Sequence, residues 1–327
     1  MRALRVLAVA VATTVCAGVL TACGATFDRT GTKAESNLAP VSRVDGRPLR
    51  VVATTGQVAD AVRRIGGNRV VTHGLMGPGV DPHLYRASES DITRLESADA
   101  VFWNGLHLEA GLSGVLERIG ELGVHSIRVT DDIDRDRLLA PPEFEGAYDP
   151  HVWFDLDLWS TVVETIRDAL IEMDPDGAEV YQANAAAYVA QIAELDEYVK
   201  IRTLGIEERV RVLVTAHDAF NYFANRYGMQ VRGLQGISTE SEASTADVQE
   251  LARFISDRQI PALFIESSVP DQGVQAVIEA AAARGHTVTI GGEIFSDAMG
   301  AEGTEQGTYL GMIRHNVDTI VEALRGT

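Results

Sequence analysis

Two sets of short apolar runs, separated by one long amphipathic stretch, restrict this chain to a narrow choice of folds. The first set lies near Leu49–Thr54, Arg69–His73, Ala100–Asn104 and Ser126–Thr130. The second lies near Val210–Ala216, Gln230–Leu234, Ala262–Glu266 and Thr287–Gly291. Segments with helical periodicity, such as Ser88–Ser97, fall between the runs. Short buried runs alternating with helices are the signature of a parallel sheet covered on both faces, so each set reads as an α/β lobe with a mostly parallel four-stranded sheet flanked by helices. Between the sets, Asp174-Pro175 looks like a helix N-cap followed by proline at the first helical position, and Gly205 is a stop signal. Tyr181, Ala185, Tyr188, Ile192, Leu195 and Val199 form one apolar stripe, which predicts a rigid helix over 175–204, about 45 Å long and able to run along both lobes. Its heptads are rich in Ala and Tyr and lack a Leu/Ile seam, which argues against a coiled-coil dimer arm. A monomer is expected.

The start of the chain carries a different message. Arg2 and Arg5 precede an apolar run from Val6 to Leu20, too short and too abruptly flanked for a spanning helix but fitting for a secretory signal over 1–22. Leu20-Thr21-Ala22-Cys23 resembles a bacterial lipobox, which implies cleavage before Cys23 and lipid on its thiol. The chain is therefore expected to be exported and held at the outer face of the cytoplasmic membrane. Residues 23–48 are polar and without apolar periodicity, a linker that as flexible coil would hold the domain about 25–30 Å from its anchor. The remaining boundaries are a first lobe over 49–174, the connecting helix over 175–204 and a second lobe over 205–327. With 327 residues and 46% of them apolar, a disordered chain is excluded.

Charge and cysteine content narrow the function. The formal net charge is -19, and loss of Arg2 and Arg5 with the signal makes it -19 - 2 = -21. A nucleic-acid partner is excluded, because a polyanion would be repelled instead of gaining from counterion release. The chain has 2 cysteines. Cys16 would leave with the signal and Cys23 would be acylated, so the mature domain has no thiol, and any transition-metal site must use nitrogen and oxygen donors.

The tripeptide Asp-Pro-His occurs at Asp81-Pro82-His83 and at Asp149-Pro150-His151, each after a Gly-containing loop. Proline fixes its own φ and keeps the preceding aspartate extended, so each histidine leaves its loop in a defined direction. One such tripeptide alone reads better as a turn followed by a helix start; two in one lobe favour a site. His217 closes the apolar run ending Val214-Thr215-Ala216, a place where open α/β sheets gather ligands. By position alone it is equally a residue capping the next helix.

Taken together, GPGVDPHLYRAS around His83, YDPHVWFDL around His151, VTAHDAFNYFANRYG around His217, GLQGISTESEAS, FIESSVP, and GGEIFSDAMG around Asp297 resemble the metal-receptor lipoproteins of ABC importers, the TroA, PsaA and ZnuA type. The resemblance runs from about Leu49 to the C-terminus and is nearest to the TroA-like branch. It implies a two-lobed receptor, not an enzyme, holding one divalent cation with His83 and His151 from the first lobe and His217 and Asp297 from the second. It also implies an ABC permease as partner. Asp218 and Glu266 are expected beside the site, orienting an imidazole or a loop. The acidic group Glu240, Glu242 and Asp247 reads as a loop and helix start, in a region that such receptors often turn toward their permease. His107 is expected to be structural, and His73, His125, His286 and His315 to be surface or core residues.

Two other functions compete. A zinc hydrolase would need an open coordination position, and the chain has no His-Glu-x-x-His motif. An adhesin or structural lipoprotein would share the acidity but needs no four placed ligands. For the cation, three imidazoles favour zinc over manganese and iron by the Irving–Williams order. Against zinc, the segment from Asp131 to Pro150 has no histidine, whereas many zinc-importing relatives carry a His-rich loop. Zinc and manganese stand close to even on sequence, with iron behind.

Overall fold

In the computed structural model, which describes residues 46–144 and 146–325, the first half forms β1 (Leu49–Ala53), β2 (Val70–Gly74), β3 (Ala100–Trp103) and β4 (His125–Arg128). They pair in the order β2-β1-β3-β4, every pair parallel. All residues of β3 are buried, as befits a strand covered on both faces. Around this sheet stand α1 (Gly56–Gly66), α2 (Glu89–Glu96), α3 (Ser113–Arg118) and α4 (Leu156–Met173). Side chains start three of them: Thr55 caps α1, Ser88 and Asp91 form a capping box on α2, and Asp155 accepts from two amides of α4. The expected signal segment, Cys23 and nearly all of the linker lie outside the described residues. Among the described residues no helix is long and apolar enough to cross a membrane.

A 3-10 turn at Pro175–Gly177 leads into α5 (Ala178–Leu204). The predicted stripe, Tyr181, Ala185, Tyr188, Ile192, Leu195 and Val199, is the buried face. Polar contacts fix this helix along its length. Arg69 pairs through two nitrogens with Asp174, which also accepts from Tyr181. Arg226 does the same with Asp196 while reaching Asp155.

The second half contains β5 (Val212–His217), α6 (Asn221–Tyr227), β6 (Gln230–Gln235), α7 (Thr245–Arg258), β7 (Ala262–Glu266), α8 (Gln272–Ala283), β8 (Thr289–Ile294) and α9 (Tyr309–Arg325). The expected single sheet of four strands here resolves into two parallel pairs, β5-β6 and β7-β8. β5 and β7 lie side by side. At the end nearest the histidines, the His217 amide donates to the Glu266 side chain at 2.8 Å and not to a backbone carbonyl of β7. β8 starts two residues later than the expected Thr287–Gly291 and continues past Gly291 through Gly292 to Ile294. Those glycines are needed for close approach: a Cβ on Gly291 would lie 2.7 Å from both Ala323 and the Phe264 ring.

One large apolar core runs from Leu49 in β1 to Leu324 in α9 and includes Phe102, Trp159, Tyr181, Phe220, Phe264 and Tyr309. It crosses from the first half to the second through α4, α5, α6 and α9. Two smaller cores lie beneath α2–α3 and beneath α7–α8. Tyr309 of α9 reaches the first half directly, its hydroxyl donating to the Trp153 carbonyl at 2.7 Å. The arrangement presents the loops at the carboxyl ends of both sets of strands to one another.

Candidate metal centre

Four buried side chains from four separate loops or strand ends meet where the two halves face each other. His83 lies in the loop between β2 and α2, His151 just before α4, His217 at the end of β5 and Asp297 in the loop after β8. One donor atom of each lies within 4.8 Å of one from every other. Asp297 Oδ1 is 3.3 Å from His151 Nε2, while its Oδ2 is 3.3 Å from His217 Nε2 and 3.5 Å from His83 Nε2. The Nε2 atoms of His83 and His151 are 3.4 Å apart. A regular tetrahedron with edges of this length has its centre about 2.1 Å from each corner, the range of zinc–nitrogen and zinc–oxygen bonds.

The local chain explains the directions of these groups. In Asp149-Pro150-His151, Asp149 Oδ1 accepts from the His151 amide at 3.0 Å and from its Nδ1 at 2.7 Å. Glu266 does likewise for His217, through Oε1 to the amide at 2.8 Å and Oε2 to Nδ1 at 2.6 Å. With Nδ1 carrying the proton in both rings, Nε2 is left as the free donor. Asp297 is set by its neighbour: the Ser296 carbonyl accepts from Trp153 Nε1 at 3.1 Å and Gln57 Nε2 at 3.3 Å, both from the first half. Asn316 of α9 brackets Phe295 on the other side, binding its N–H and its carbonyl.

Electrostatically the site is poised for a cation. Asp297 Oδ1 and Oδ2 and His217 Nε2 are buried and, among the described residues, make no hydrogen bond. Buried polar atoms are rarely left so, and a cation supplies what they lack. Burial pulls the His83 imidazole down to about 3, and the neighbouring rings of His151 and His217 add to this against Asp297. Burial also opposes charge on His151, but Asp149 and Asp297 outweigh it and raise this ring to about 9. His217 is raised in the same sense by Glu266 and Asp297 against its burial. Burial would raise the Asp297 carboxyl, yet His217 and His151 hold it well below the usual carboxylate range.

The structure thus brings together all four of the expected donors, with Glu266 braced against His217. Asp218 is different: no hydrogen bond joins its carboxylate to an imidazole among the described residues, and burial raises its pKa above the usual carboxylate value, toward the neutral form. Sequence reasoning missed the brace by Asp149, although its place two residues before His151 was the available signal. His107 is exposed, in a left-handed conformation with φ of 67°, and is not one of the four. His286 and His315 hydrogen-bond backbone carbonyls. Glu240 and Glu242 are exposed in the loop before α7, whose N-terminus Ser244 and Asp247 cap.

Residues 51–323 match the family described as zinc-uptake complex component A, periplasmic. The manganese-binding lipoprotein MntA of Bacillus subtilis (strain 168) is 47% identical over 302 residues, covering 92% of this chain and 96% of its own length. The zinc-binding protein TroA of Treponema pallidum (strain Nichols) is 49% identical over 281 residues, 86% of this chain and 90% of its own. The solved structure of periplasmic zinc-binding TroA from Treponema pallidum superposes with a TM-score of 0.83 at 47% identity, covering 85% of this chain and 100% of that one.

Proposed function

This chain belongs to the family of periplasmic zinc-uptake complex component A proteins, and on that premise we propose that it captures one zinc or manganese ion with His83, His151, His217 and Asp297 and delivers it to the permease of an ABC importer. The observation that carries the ligand assignment is the pair of buried Asp297 oxygens, unbonded among the described residues yet 3.3–3.5 Å from three imidazole nitrogens. Three neutral imidazoles and one carboxylate make a closed tetrahedral set, which leaves no coordination position for an activated water. That chemistry suits a receptor that must bind and release its cargo, not an enzyme. Zinc is the stronger binder at such a donor set, so manganese transport requires that supply, not intrinsic affinity, select the ion. The family's lobed architecture supports reading residues 49–174 and 205–327 as the two lobes around α5.

Retention at the cell surface follows from the other end of the chain. Acylation of Cys23 after loss of residues 1–22 would anchor the receptor at the outer face of the cytoplasmic membrane. Leu20-Thr21-Ala22-Cys23 supports this, as does the lipoprotein name of the Bacillus subtilis relative. Cys23→Ala protein found still in the membrane fraction would sink the anchor.

Purified protein expressed in defined medium, analysed by mass spectrometry for bound metal, tests the receptor reading. One zinc or manganese per chain is expected, with loss of that metal on His217→Ala or Asp297→Ala. Full occupancy in both variants would overturn the ligand assignment. Competition of zinc against manganese in the same preparation ranks the two cargoes.

A further inference from the structure

The two halves are tied unevenly around the cation-binding cluster. On one side the ties are many. Asn221 and Tyr222 of α6 donate to Asp149, Arg226 reaches Asp155, and Gln57 and Trp153 hold the Ser296 carbonyl. On the opposite side one wall is the segment 75–87, which carries His83, and the facing wall is formed by the loop 236–244 and Ser267. These walls come close: a Cβ on Gly79, whose φ is +73°, would lie 3.3 Å from the Ser267 carbonyl oxygen. Yet among the described residues only one hydrogen bond crosses between segment 75–87 and the second half. Thr239 Oγ1 donates to Asp81 Oδ2 at 2.6 Å.

The acceptor is not an isolated carboxylate. Its other oxygen, Oδ1, accepts the amide of His83 at 2.8 Å. Asp81 therefore joins Thr239 to the backbone of a cation donor through a single rigid group. Thr239 is 6% exposed, whereas its neighbour Glu240 is exposed and Asp81 is half-buried, so the donor side of the bond is sheltered at the rim of the site. The contrast with the other Asp-Pro-His tripeptide sharpens its purpose. Asp149 uses one oxygen for both the amide and the ring of His151. Asp81 contacts only the amide of His83, while the second oxygen of each aspartate accepts from the other half, from Thr239 for Asp81 and from Asn221 for Asp149.

We propose that Thr239 is a positioning residue for the His83 wall: by holding Asp81 across the mouth, it keeps His83 against the cation and sets the rate at which the ion leaves. Displacing the loop 236–244 breaks this bond without touching a ligand. The ion can then depart past His83 while His151, His217 and Asp297 keep their places. This inference rests on His83 being a ligand, as proposed above.

The test is stopped-flow transfer of zinc from the loaded full chain to excess chelator, comparing wild type with Thr239→Val and Thr239→Ser. Thr239→Val keeps the shape and removes the hydroxyl, whereas Thr239→Ser keeps the hydroxyl. Loss of a part-buried hydrogen bond to a charged group predicts dissociation about 10-fold faster in Thr239→Val, with the association rate unchanged. Thr239→Ser should restore slow release, which a merely space-filling role would not require. Release from Thr239→Val at the wild-type rate, or equally fast release from both variants, overturns the inference while leaving the ligand assignment intact. Failure of wild type to bind zinc at all overturns the ligand assignment itself, and this inference with it.

Discussion

Glu266 holds His217 at two points, accepting the backbone amide at 2.8 Å and the ring Nδ1 at 2.6 Å, so strand end and imidazole are oriented by one carboxylate. Asp149 holds His151 in the same manner from the first half. The cation-binding cluster is therefore backed by two further carboxylates. With both ionised and the three rings neutral, a divalent cation and Asp297 bring the local formal charge to -1, not the +1 of the four donors alone.

Glu266→Ala is expected to weaken zinc binding about 10–100-fold, the usual effect of removing the hydrogen-bond partner of a ligating histidine. Titration against a chromophoric chelator of known affinity measures it, and circular dichroism checks that the fold is retained. An unchanged dissociation constant would mean that His217 needs no brace.

The pH dependence follows from His151. Its value of about 9 lies above the ordinary 6.5, because Asp149 and Asp297 outweigh burial. In the metal-free protein these contacts contribute stability that is complete below about pH 6.5 and is lost as pH rises toward 9. The metal-free midpoint should therefore fall across that window. Cation binding requires the neutral ring, so loading expels protons, and the apparent affinity should weaken as pH falls through the same range. Calorimetry in buffers of differing ionisation enthalpy reads the proton release directly; an enthalpy independent of the buffer would refute it.

Gly291→Ala tests the packing beneath Asp297. Its Cβ would come within 2.7 Å of Ala323 and of the Phe264 ring. Overpacking of this kind costs about 1–3 kcal/mol. Urea unfolding of metal-free protein is the measurement, and a midpoint equal to wild type would show that α9 yields freely.

Much of this was legible in the chain, and the exceptions have physical reasons. Strands such as Ala100–Trp103 announced themselves because both faces are buried, and α5 because its stripe repeats at helical spacing. β8 was expected over Thr287–Gly291 and lies over Thr289–Ile294, displaced along the chain by two residues at its start. Here Gly291 serves close packing, and only the three-dimensional approach of α9 reveals that. His83, His151 and His217 were nominated by loop and strand-end context, while Asp297 required the family resemblance. The braces were harder. Asp81 and Asp149 occupy the same place in identical tripeptides and both accept the histidine amide two residues on. Only Asp149 also meets the ring, and the second oxygen of each is held by a distant partner, Asn221 for Asp149 and Thr239, 158 positions away, for Asp81. Side-chain torsions set by distant partners leave no mark in local sequence.

The unbroken core from Leu49 to Leu324 bears on how the halves can move. Halves that share α4, α5 and α9 as common filling cannot swing apart without uncovering that apolar surface, at about 25 cal/mol for each Å² exposed to water. A path for the cation that shifts only segments outside this filling avoids that cost.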